Sequence, residues 1–233
     1  QLDVLVERRG GEIQRLGLDG LPGLLDLPSL AQQLYATARV LRVFTFERRE
    51  ISADQVLERI GRQPAETPAV PSAAWPVVTF TEDVTFHLND DELHAFHVEN
   101  AHTDGDAIVH FKRANVVHMG DTFFRDRFPF IDTATGGSID GMIAASGPAL
   151  AVMDAETQVI PGHGSLSDRE DLRRYRDALK TMRDAVADLM EQGRSLEQIV
   201  AARPIRAQAE AWGQSEAAEA SFVATIHHGV GGH

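Results

Sequence analysis

The chain has 233 residues, no cysteine, ten histidines and a formal net charge of −13. That charge disfavours a nucleic-acid backbone or an anionic membrane surface as partner, and the lack of cysteine excludes disulfides and thiolate metal sites. No run of about eighteen apolar residues is present, so no membrane span is expected. Any metal has to be held by imidazole and carboxylate.

No basic-then-apolar leader is visible and the chain begins at Gln1. The expectation is a soluble protein of the cytoplasm or periplasm.

Taken in chain order, residues 1–50 are the least legible part of one expected domain spanning 1–233. Leu2 to Val6 has the composition of a short strand. Leu16 to Leu30 is rich in leucine but interrupted by Gly17, Gly20, Pro22, Gly23 and Pro28, which break helix and strand alike. A short helix is expected over Leu30 to Arg39 and a strand over Val40 to Phe46. Ser52 or Asp54 is suited to cap a helix ending near Ile60. Residues 62–76, with Pro64, Pro68, Pro71 and Pro76, read as an extended connector.

From Val77 the pattern sharpens. Val77–Phe80, Val84–Leu88, Leu93–Val98, Ala107–Phe111 and Val116–His118 are five β-rich runs separated by turn residues, close enough in sequence to predict an antiparallel meander. Ser138 or Asp140 is expected to cap a helix through Met153, and Thr157–Ile160 to form a last strand. Ser167 is expected to cap a long amphipathic helix to Glu191, stopped by Gly193. Two further helices are expected over Leu196–Ala201 and Glu216–His227, with a frayed tail from Gly229. Interleaved strands and helices in one unit predict an α+β layered fold.

Three residues stand where these strands stop: His102 after Val98, Asp121 behind Gly120, and His163 between Gly162 and Gly164. Strand ends suit ligand sites, because the sheet fixes the backbone while the following loop lets side chains converge. Each residue alone has an ordinary explanation as a turn or cap. Together, at successive strand ends, they predict a metal site. Asp104 and Asp106, beside His102, are candidates to orient it from behind. His87, His94, His97, His110 and His118 read as residues on the sheet faces.

The motifs Ala101-His102-Thr103-Asp104-Gly105-Asp106, His118-Met119-Gly120-Asp121-Thr122 and Pro161-Gly162-His163-Gly164 resemble the last three metal-binding motifs of the metallo-β-lactamase-fold hydrolases. The resemblance runs from about Val77 to Ala202 and includes Gly136-Gly137-Ser138 at the start of the intervening helix. It implies an αββα sandwich with one or two zinc ions at the edge between its sheets. His102 would be the third histidine of one zinc, Asp121 would bridge, and His163 would bind the second. It also implies hydrolysis of a small-molecule carbonyl substrate (lactam, lactone, ester or thioester) by metal-bound hydroxide.

The family's upstream His-x-His-x-Asp-His motif is absent, because the first histidine is His87. Three explanations arise. Residues 1–50 are a divergent or frame-disrupted version of that half, or the chain is a catalytically silent scaffold or binding protein on the same fold. Alternatively, other residues such as His227 or His228 replace the missing ligands.

Overall fold

The structure, a computed structural model, describes the backbone of residues 3–8, 12–17 and 44–45 and the chain from residue 78 to 231. The elements expected at Leu16–Leu30, Leu30–Arg39, Ser52–Ile60 and the 62–76 connector lie wholly or mostly outside these residues.

The strands are β1 (Asp3–Arg8), β2 (Glu12–Gly17), β3 (Phe44–Thr45), β4 (Thr79–Phe80) and β5 (Asp83–Leu88), followed by β6 (Asp91–Val98), β7 (Asp106–Phe111), β8 (Val116–Phe124), β9 (Gln158–His163) and β10 (Ser167–Asp168). The helices are α1 (Ile139–Ala151), α2 (Arg169–Glu191), α3 (Leu196–Ala202), α4 (Arg206–Ala211) and α5 (Glu216–Gly231). Eight strands form one sheet in the order β10-β9-β8-β7-β6-β5-β1-β2, while β3 and β4 pair separately. The α+β expectation holds.

The meander holds from β5 to β8, whose neighbours are antiparallel. Asn89 and Asp90, both at positive φ (53° and 59°), turn β5 into β6. Short polar residues tolerate that left-handed pair, and its twist matches the strands it joins. The run at Val77–Phe80 is a correction: it supplies β4, which leaves the meander and pairs in parallel with β3.

Alternation divides the sheet into two apolar faces. On one, Phe96, Val98, Ile108, Val117 and Met119 pack against Ile139, Met142, Leu172, Leu179, Met182 and Ile226 of the helices. On the other, Val84, Phe86, Leu93, Ala95, Phe111 and Val116 form a second cluster, with Phe80 and Ile160 packed against it. His110 and His118 are partly covered on their own strands, and burial, the largest cause for each, holds both imidazoles below the usual histidine range. The Gly120 amide donates to His118 Nδ1 at 3.1 Å, which requires an unprotonated nitrogen there.

Helix α1 begins as expected: Ser138 is extended and its Oγ accepts from the Gly141 amide. Helix α2 begins one residue later than expected. Asp168, not Ser167, is its N-cap, with Asp171 completing a reciprocal capping box. Ser167 is instead paired with Val159 in β10. Helix α4 was not expected, and α5 runs to Gly231 where a frayed tail was expected. Among the described residues no helix is long and apolar enough to cross a membrane.

Candidate metal centre

Strand direction brings the three candidate ligands to one edge. β8 and β9 are parallel, and β6 runs the same way because two antiparallel pairings separate it from β8. The C-terminal ends of β6, β8 and β9 therefore share an edge, and His102, Asp121 and His163 stand there.

Asp121 lies within β8, which continues beyond the point where the sequence suggested an end. Gly120 takes φ 55°, and the register against β9 shifts on both sides of it. This irregularity aims the Asp121 side chain out of the ladder. The strand then re-pairs, placing Phe124 opposite His163.

The Asp121 carboxylate sits between the two imidazoles. His102 Nε2 is 3.7 Å from Oδ2, and His163 Nε2 is 3.4 Å from Oδ1. The His163 spacing matches the edge of a zinc tetrahedron, about 3.3–3.5 Å for the usual zinc–nitrogen and zinc–oxygen lengths, and the His102 spacing is slightly longer. Each imidazole faces a different carboxylate oxygen.

His102 is oriented from behind. Its Nδ1–H donates to the Phe130 carbonyl at 2.8 Å, which turns Nε2 toward Asp121. Asp106 lies against His102, whose backbone amide and imidazole both act on its carboxylate, and it also holds the loop. Asp106 Oδ2 accepts from the Thr103 amide at 2.8 Å and Oδ1 from the Thr103 hydroxyl at 3.3 Å. Burial, the dominant cause, raises the Asp106 carboxyl above its usual range. The Asp104 amide donates to Thr135 O at 2.9 Å, and its carbonyl accepts from His97 Nε2 at 3.0 Å.

His163 is stacked on Phe124, with ring centroids 4.6 Å apart. Arg125 ties the loop beyond it. Its amide donates to the His163 carbonyl at 2.9 Å, and its guanidinium reaches Leu166 O at 2.6 Å, Ser167 Oγ at 3.0 Å and Asp171 at 2.9 Å. Neither the Phe130 carbonyl nor Arg125 was anticipated, since their contacts span 28 to 46 residues and leave no local pattern.

Glycines let the backbones close in. A Cβ on Gly162 would lie 2.6 Å from the Gly120 carbonyl carbon and closer still to Asp121 Oδ1. On Gly137 and Gly141 it would run into the backbone of Asn100 to His102. The start of α1 is thus seated on the His102 loop, with the Ser138 amide and hydroxyl donating to Asn100 O at 2.9 Å.

The donor set fits zinc in chemistry, as half of a site. Among the described residues no group of three or more His, Asp or Glu side chains is gathered closely enough to hold a metal ion as it stands. His227 of α5 lies close enough to Glu197 of α3 to favour its ionised carboxylate.

A profile of the metallo-beta-lactamase superfamily matches residues 24–190. Among solved structures, the stereoselective inverting sec-alkylsulfatase Pisa1 from Pseudomonas sp. is similar at 14% identity and a TM-score of 0.51, over 66% of this chain and 26% of that one. The metallo-beta-lactamase from Pontibacter korlensis is 20% identical over 59% of this chain and 67% of its own, with a TM-score of 0.42. BLEG-1 B3 metallo-beta-lactamase is 19% identical over 59% and 64%, with a TM-score of 0.43. At such identities the likeness concerns the fold alone, and the chain spans about a quarter of the alkylsulfatase's length. No curated protein matches the chain. The profile begins at residue 24, upstream of Val77 where the motif resemblance starts, and covers well over half the sequence. The chain belongs to the metallo-beta-lactamase superfamily.

Proposed function

We propose that the chain is a zinc-dependent hydrolase acting on a small-molecule carbonyl compound (a lactam, lactone, ester or thioester). The observation that carries this reading is the Asp121 carboxylate held between the Nε2 atoms of His102 and His163, one oxygen toward each. Zinc, when bound, supplies Lewis acidity and lowers the pKa of water to about 7. His102, Asp121 and His163 would hold it. Phe130 fixes the His102 tautomer through its carbonyl, Phe124 packs against His163, and Arg125 anchors the loop that presents His163. The net charge of −13 supports a small substrate over a nucleic acid or an anionic membrane.

A second reading is favoured by one specific observation, the absence of any histidine before His87. A catalytic zinc normally has three protein ligands of its own, and these residues do not supply three to each of two ions. On that reading the chain is a silent scaffold or binding protein. A turnover panel of lactam, lactone, ester and thioester substrates, with zinc added and then chelated, separates the two. Hydrolysis of at least one class is expected, reduced a hundredfold or more by chelation and by His163→Ala. No turnover with zinc present supports the second reading, whereas turnover indifferent to chelation contradicts the zinc-dependent first one.

A further inference from the structure

We propose that His94 and His110 form a second, independent chelating site, for a divalent transition-metal ion, on the helix-side face of the sheet. The two residues are direct partners in the antiparallel pairing of β6 with β7. Directly opposed residues share a face, with Cβ atoms about 4.5–5.5 Å apart, so both imidazoles rise side by side from a rigid base.

The same face carries Phe96, Val98, Ile108 and Val117 into the helical core, whereas His94 and His110 are only partly covered. They lie where that cover thins. His94 is four residues before Val98, which puts it roughly 13 Å along the strand from the end nearest the candidate centre. The two sites share no residue.

Asp83, also on this side of β5, brings Oδ1 to 3.6 Å from His94 Nε2. That spacing is too long for a hydrogen bond and places a carboxylate beside the imidazole pair. The other charges felt by His110 are Lys112, Asp91 and Asp154. Lys112 is held by Glu92 at 2.7 Å. Burial, followed by the fields of His94 and Lys112, favours the neutral His110 imidazole, the form that binds metal.

Two imidazoles leave the remaining coordination positions to water. The site is therefore an exchangeable chelate, consistent with the absence of a three-ligand cage among the described residues. Imidazole nitrogen suits copper, nickel and zinc, and the general order of affinity puts copper(II) first.

The test is a copper(II) titration of the full chain carrying His102→Ala and His163→Ala, which removes the candidate centre as a competitor. One equivalent is expected, with nitrogen ligation in the electron paramagnetic resonance spectrum. Adding His94→Gln or His110→Gln should each weaken binding at least tenfold while circular dichroism stays unchanged, since neither side chain is in the core. Affinity and spectrum unchanged in both variants would overturn the site. So would loss of all copper binding on removing His102 and His163 alone. Because the candidate centre is silenced, a failure of the proposed hydrolase activity leaves this result untouched.

Discussion

Gly141→Ala is expected to destabilise the protein by about 3 kcal/mol, the upper part of the range for overpacking. Helix propensity alone predicts the opposite sign, because alanine is favoured over glycine in a helix by about 1 kcal/mol. The reversal comes from the seat of α1. A Cβ at Gly141 would lie 2.9 Å from the Ala101 nitrogen and nearer still to the Asn100 carbonyl. Both obstacles are backbone, so neither swings aside. The helix has to retreat, and the Ser138 bonds to Asn100 and Ala101, together with the Asp132 amide bond to His102 O, lengthen with it. A fall in Tm on the order of 10 °C should follow. Gly229→Ala is the control: in α5 its Cβ would meet Ile139 at an ordinary 3.6 Å, so little change is expected. Equal Tm values for Gly141→Ala and the parent protein would contradict this account of the helix seat.

The second large effect is expected at Gly162, and it falls on metal affinity as well as on stability. β9 passes so close to the Gly120 bulge that an added methyl would enter the space of Asp121 Oδ1 and the Gly120 carbonyl. The carboxylate is the softer obstacle. It rotates away, and its alignment between His102 and His163 goes with it. Groups that hold a ligand in place typically change metal affinity 10–100-fold when altered. Zinc titration of Gly162→Ala should show a loss of that size, while the far-UV spectrum remains native. Unaltered zinc affinity would mean that Asp121 is not held where the ligands need it.

Much of the described fold could be read from local pattern. The runs that became β5 to β8 alternate and are divided by turn residues, Ser138 is a good cap, and α2 carries a clear stripe from Leu172 to Val186. Where the reading failed, a non-local interaction decided the outcome. Ser167 is a good cap by type, but pairing with Val159 kept it in a strand and passed the role to Asp168. Gly120 looked like a strand end, yet β9 recaptured the chain on its far side. Helix α4 has no side-chain cap and buries only Ala209, so it left no periodic signal. At the candidate centre His102 and His163 stand beyond or at strand ends as the sequence suggested, whereas Asp121 lies inside β8. The parts that hold them were not legible: a backbone carbonyl at Phe130 and the long reach of Arg125 depend on the folded arrangement.

The central claim is that His102, Asp121 and His163 form a zinc site. Zinc per chain, determined by elemental analysis on protein purified without chelators and again on Asp121→Ala, tests it most directly. One or two equivalents are expected in the parent protein, lost in the variant because the carboxylate between the two histidines is gone. Zinc near zero in both proteins, or equal zinc in both, would contradict it.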